Sequence, residues 1–136
     1  MFEKFHFSQK QIKNYYKSAV RDFSIASKSD IPEVAFRFCY DSLLKLAITI
    51  CAANELRVKA RQGHHIELIE KLSDILKNQG IEIIANEMRS KRNWDLYGGG
   101  VLISEKETKE YIIFTKTVFK KADAYLHKKL SKQLRF

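Results

Sequence analysis

The residues most able to do chemistry lie in one short stretch, Met88-Arg89-Ser90-Lys91-Arg92-Asn93-Trp94-Asp95-Leu96-Tyr97. Arg89, Arg92, Asn93 and Tyr97 recur at steps of three and four, so on a helix they share a face. Two guanidiniums side by side repel each other unless an anion or a pair of acids lies between them. Their planar donor forks match phosphate oxygens. Asn93 can donate and accept beside them, and Tyr97 adds a ring with a polar tip. Two readings of this face stay open: an anion site, or arginines paired with Glu82, Glu87, Asp95 or an acid on another helix.

Basic residues elsewhere extend the candidate set. Arg57 and Arg61 lie in a connector that leads through Gly63 to His64 and His65. Adjacent residues at a helix start point about 100° apart, which does not make the one-face pair that a metal site on a helix needs. No metal or cofactor is expected, and the sequence holds no Walker loop, dinucleotide fingerprint or HExxH. The pair is read as one histidine that caps or packs and one that is solvated; the sharper alternative is that one turns toward Arg89 and Arg92 and supplies a base.

The charge balance agrees with an anionic partner. The chain has 25 Lys and Arg against 16 Asp and Glu, a formal net charge of +9 over 136 residues. Such an excess draws polyanions, whether nucleic acid, an acidic protein or an anionic surface. Cys39 and Cys51 both sit in an apolar helical pattern, where thiols behave as small hydrophobes, which points to reduced cysteines in the cytoplasm. The segment Met1 to Phe7 mixes charges with aromatics and lacks a signal peptide's apolar run. The longest apolar stretch, Leu43 to Ala53, contains Lys45 and is shorter than the ~20 residues that span a bilayer. No membrane span is expected.

The elements that must position these groups are helices, and 136 residues suit one domain. The first opens at Ser8, with Gln11 completing a capping box and Phe7 and Ile12 a hydrophobic staple, and ends near Lys28. The second begins with Pro32 in its first turn and is apolar on nearly every side through Cys51, which predicts the centre of a bundle. A third, after Gly63, places Ile66, Ile69, Leu72, Ile75 and Leu76 on one face and ends at Asn78, Gln79 and Gly80. The fourth runs from Ile81 to Tyr97, burying Ile84, Ala85 and Met88, and stops at Gly98 to Gly100. The fifth opens with a second capping box, Ser104 and Glu107, and becomes strongly basic from Lys116 onward. Val101 to Ile103 have no partner strand in sight, so the fold class is all-α: an up-and-down bundle of about five helices with no β-sheet.

On these residues the chain resembles a family. The stretch Arg89 to Tyr97 looks like the signature helix of HEPN domains, helical bundles that include RNA-cleaving toxins. Tyr40-Asp41-Ser42-Leu43-Leu44-Lys45-Leu46-Ala47 resembles that family's central helix, and Arg61-Gln62-Gly63-His64-His65 the turn into its next one. The likeness covers roughly residues 10 to 130. It implies a homodimer whose two signature helices meet in one cleft, with RNA or nucleotide as ligand and a nucleotidyltransferase antitoxin as a further partner. It also implies metal-independent RNA cleavage, in which an Arg holds the scissile phosphate and a His four to six residues later moves a proton.

Carried onto this chain, the resemblance assigns catalytic positions to Arg92, Asn93 and Tyr97, and phosphate or RNA contacts to Arg89, Lys91, Arg57, Arg61, His64 and His65. The departure is at the His: counted from Arg92 its place is taken by Tyr97. The ordinary pKa values of His and Tyr differ by about 3.5 units, or about 5 kcal/mol in readiness to act as a base at neutral pH. Two expectations therefore stand together, a toxin-type endoribonuclease and a catalytically inactive HEPN interaction module.

Overall fold

A helix that is apolar all round has to be enclosed by others, and α2 (Pro32–Ala53) is enclosed. The computed structural model describes residues 1–60, 63–97 and 103–130, apart from the side chains of 94–97. Around α2 pack α1 (Gln9–Lys28), α3 (His64–Leu76), α4 (Gln79–Tyr97) and α5 (Glu105–Leu130). The protein is an all-α helical bundle. Along α2, Cys39, Tyr40, Leu43, Leu46, Ala47 and Ile50 are buried, each apolar one contributing about 1.5–3 kcal/mol when its side chain is Leu- or Ile-sized. Ala19 and Ala26 are fully buried on α1, where short side chains let the two helices pack closely.

The helix starts follow from the capping residues. Ser8 Oγ accepts from the Gln11 amide while Gln11 Oε1 accepts from the Ser8 amide, and Phe7 and Ile12 are both buried beside that box. Ser104 and Glu107 repeat the arrangement at the start of α5. Pro32 occupies the first turn of α2. Polar ties then fix one helix to another. Tyr16 donates to Asp123 at 2.9 Å, joining α1 to α5, and Tyr125 donates to Asn54 at 3.0 Å, joining α5 to the end of α2.

Three expectations need correction. The chain does contain a sheet, a two-stranded antiparallel ribbon of β1 (Phe2–Lys4) and β2 (Leu56–Val58), in which Glu3 faces Arg57. It forms because Glu55 takes a left-handed φ of 57° just after α2 and turns the chain back alongside the N-terminal segment. The α3 to α4 junction is also tighter than expected. Lys77, not a glycine, adopts the left-handed conformation that stops α3, and Asn78 Oδ1 accepts from the Gly80 amide at 3.0 Å. Gln79 and Gly80 therefore open α4 and do not close α3. Finally, Ile81 joins Ala85 and Met88 in the core in place of Ile84, which is partly buried. Residues 98–102, including the glycine run, Val101 and Leu102, lie outside the described residues, as does Arg61.

Both cysteines are buried free thiols. Burial pushes Cys39 up to about 11, opposed by its contact with the Thr115 hydroxyl, and pushes Cys51 up to about 12, opposed by Lys71. Among the described residues no helix is long and apolar enough to cross a membrane.

Candidate functional site

The site is built where two apolar stripes run out. On α4 the buried positions Ile81, Ala85 and Met88 continue one turn further to Arg92, so the core-facing stripe ends in a guanidinium. On α3 the buried positions Leu68, Ile69 and Leu72 continue backward to His65, so that stripe begins with an imidazole. Of the expected stripe, Ile69 and Leu72 are buried while Ile66, Ile75 and Leu76 are partly buried, and Leu68 and Ser73 join the buried set. Gly63 caps α3 with φ of 85°, a conformation that favours glycine, and aims the helix so that His65 faces inward.

Tyr40 of α2 is where these two ends meet. Its side chain is fully buried (0% exposed), and a buried phenol needs a hydrogen-bond partner. The partner is His65, with Tyr40 Oη 3.2 Å from Nδ1. Arg92 lies over the same ring, its Cζ 5.7 Å from the centroid, in cation–π range. His64 packs edge-on against His65, ring centroids 4.5 Å apart. One tyrosine thus holds an imidazole by its hydroxyl and a guanidinium by its face.

The electrostatics follow from burial and from the arginines. His65 is pushed down to about 4, first by burial of the ring, then by His64, Arg92 and Arg89, so it is neutral at neutral pH. Burial raises the Tyr40 phenol, with Arg92 and Arg89 pulling the other way. Asp41 is raised as well: burial is the main cause, Asp22 adds to it, and Arg92, Lys45 and Arg37 oppose it. Asp22 was not legible as part of this surround. It is buried on α1 and ion-paired with Lys45 at 2.7 Å, with Arg21 at 3.3 Å.

Arg89 donates from Nε to Asn86 Oδ1 at 3.3 Å, a neutral partner. Among the described residues neither Arg89 nor Arg92 forms an ion pair. Glu87, one of the acids considered for them, accepts instead from the Tyr111 hydroxyl.

Other expected members of the site are placed elsewhere. Lys91 points to α5, where it pairs with Glu107 and lies 5.3 Å from the Tyr111 ring centroid. Arg57 belongs to the ribbon: it pairs with Glu3 at 2.7 Å and stacks over Phe5 at 4.1 Å. Neither joins the arginine and histidine cluster, because each is engaged by a carboxylate of its own neighbourhood. Asn93 is partly buried on α4, on the same helical face as Arg89. Tyr97 is the last helical residue of α4, its side chain outside the described residues, and Arg61 lies outside them too. Among the described residues no three His, Cys, Asp or Glu side chains gather as metal ligands would.

The residue that sequence reasoning missed as part of the site is Tyr40. A signal was present: a tyrosine in the middle of a helix apolar all round must find a partner for its hydroxyl. No family model, no curated protein and no solved structure matches the chain. The site defines the protein's class as an all-helical bundle with a positively charged Arg, His and Tyr cluster at the junction of three helices.

Proposed function

We propose that this chain is a HEPN-like domain that binds the phosphates of RNA or of a nucleotide through Arg89, Arg92 and Asn93, with His64 and His65 at the edge of the same cluster. The observation that carries the reading is the Arg92 guanidinium over the buried Tyr40 ring, beside His65, with Arg89 near enough to act electrostatically on both and neither arginine ion-paired among the described residues. The +9 charge supports it by raising the local concentration of a polyanion. In this reading two copies join through α4, whose outward Ile83 is 69% exposed, so that the cluster of each lines a shared cleft in the cytoplasm.

Two activities are compatible with such a cleft. One is metal-independent, toxin-type cleavage of RNA, with Arg92 holding the scissile phosphate and Asn93 and Tyr97 beside it. The other is a catalytically inactive module that holds RNA or a partner such as a nucleotidyltransferase. The neutral imidazole of His65 next to the arginines favours the first, since it supplies the proton acceptor that Tyr97 does not.

The test is RNA binding and cleavage by wild type and Arg92→Ala. Binding of a single-stranded RNA should weaken steeply with salt, and loss of one phosphate contact should flatten the log–log slope by about 0.7. The charge-assisted hydrogen bonds removed are worth about 1.5–3 kcal/mol, so affinity should fall by roughly tenfold to a hundredfold. An unchanged slope and affinity in Arg92→Ala would remove the site. Cleavage by wild type that disappears in Arg92→Ala selects the ribonuclease, and binding without cleavage selects the silent module.

A further inference from the structure

The imidazole of His65 is held in a setting that resists a proton. Its Nδ1 is fixed 3.2 Å from Tyr40 Oη, and its ring is half-covered between α2, α3 and α4. The groups facing it are Tyr40 from α2, His64 from α3, and Arg89 and Arg92 from α4, and Asp41 of α2 is the carboxylate that interacts with Arg92. Protonation would set a third positive charge against two guanidiniums in partly desolvated surroundings. A doubly charged oxyanion between the arginines cancels that repulsion and offers an acceptor to the ring.

We propose that an oxyanion held by Arg89 and Arg92 draws a proton from solvent onto His65, so that phosphate binding at this site is coupled to proton uptake. This rests on the reading that the face takes a phosphate, and adds which residue titrates with it. The proton balance is simple: one proton leaves the buffer and bonds to the ring nitrogen that carried none. The imidazolium then donates from Nδ1 to Tyr40 Oη and from Nε2 to the anion. Tyr40 keeps its own proton throughout, because burial holds the phenol well above neutrality. The ring is neutral near pH 7 with the site empty, as its depressed midpoint of about 4 requires.

The coupling is reciprocal. If the anion raises the affinity of His65 for a proton, protonation raises the affinity of the site for the anion by the same factor. An upward shift of one unit corresponds to about a tenfold gain in anion affinity between the deprotonated and protonated forms.

Inorganic sulfate is the probe, since its charge does not change between pH 4 and 8. The His65 ring resonances of the full chain are followed by NMR across that range, with and without saturating sulfate. The midpoint should rise by at least about one unit with sulfate, and sulfate affinity should fall about tenfold as pH rises through the two midpoints. His65→Gln, which keeps a hydrogen-bonding side chain, should flatten that pH profile, and Asp41→Asn should leave it in place. Sulfate-dependent shifts at Arg89 and Arg92 with an unmoved His65 midpoint would overturn the coupling and spare the phosphate site. Linkage lost in Asp41→Asn but retained in His65→Gln would assign the proton to Asp41 and overturn the proposal. No sulfate-dependent shift at the arginines at all would overturn the coupling and the phosphate site together. The wild-type midpoint decides the matter even where a variant fails to fold.

Discussion

Replacing Lys45 by Met tests how the bundle tolerates charge beside the site. Asp22 is 3% exposed and lies 2.7 Å from Lys45 Nζ, which is 34% exposed. At an effective dielectric of about 20 the attraction at that distance is about 6 kcal/mol gross, most of it offset by desolvation of the two groups. Removing one member of a fully buried pair costs about 3–5 kcal/mol, because the other charge is left uncompensated. Here Lys45 is one-third exposed, and Arg21, itself mostly exposed, remains 3.3 Å from Asp22. Both facts lower the cost, and Lys45→Met should destabilise by about 2–3 kcal/mol. For a chain of this size that lowers Tm by roughly 8–12 °C.

The assay is urea unfolding followed by the helical circular dichroism signal. The midpoint should fall with the slope unchanged, since the surface exposed on unfolding is the same. The double variant Asp22→Leu with Lys45→Met removes both charges and should recover to within about 1 kcal/mol of wild type. If Lys45→Met costs less than about 0.5 kcal/mol, or if the double variant is worse than the single, Asp22 is not the buried, Lys45-dependent charge described above.

Three further outcomes follow from the same geometry. Arg57→Ala breaks an exposed pair with Glu3 and uncovers Phe5, so it should cost about 1 kcal/mol or less in urea unfolding and leave RNA affinity unchanged, because Arg57 stands apart from the arginine cluster. Cys39 and Cys51, held up to about 11 and about 12 by burial, should resist a thiol reagent at pH 8 in the native protein and react together once it is unfolded. His65 is depressed to about 4 in the folded chain from an ordinary value near 6.5, so the unfolded chain takes up that proton first as pH falls. Its contribution to stability should therefore be present above about pH 6.5 and be lost progressively toward pH 4, and the slope it adds should vanish in His65→Gln.

The helix boundaries were legible because their signals are local. Ser8 with Gln11, Pro32, and Ser104 with Glu107 each act within one turn, and each starts a helix where the sequence places it. Pairings across the chain carried no such mark. The ribbon joins two three-residue strands, with Glu3 and Arg57 54 residues apart, too short for alternation to announce either. The turn after α3 uses Lys77 in a conformation usually left to glycine, so the nearby Gly80 drew the boundary three residues late. At the site, the shared face of Arg89 and Arg92 follows from spacing alone. Their neighbour His65 does not, since its place depends on a hydrogen bond to Tyr40, 25 residues away.

The way the site is anchored bears on what it can do. Arg92 and His65 are the terminal residues of stripes that elsewhere hold α4 and α3 in the core, so their positions are set by the packing of Met88, Ala85, Leu68 and Leu72. Neither side chain can swing into solvent without giving up the contact with Tyr40 that closes this end of the bundle. On the reading proposed above, the contacts with Tyr40 remove in advance part of the rotamer entropy that gripping an anion would cost these side chains. Lys91, one residue away, shows the contrast: its charge is spent on Glu107 and steadies α5. Among the described residues no carboxylate forms an ion pair with the Arg92 guanidinium, which the core holds beside a neutral imidazole, and on the reading proposed above that same fixity preorganises the cluster for an anion.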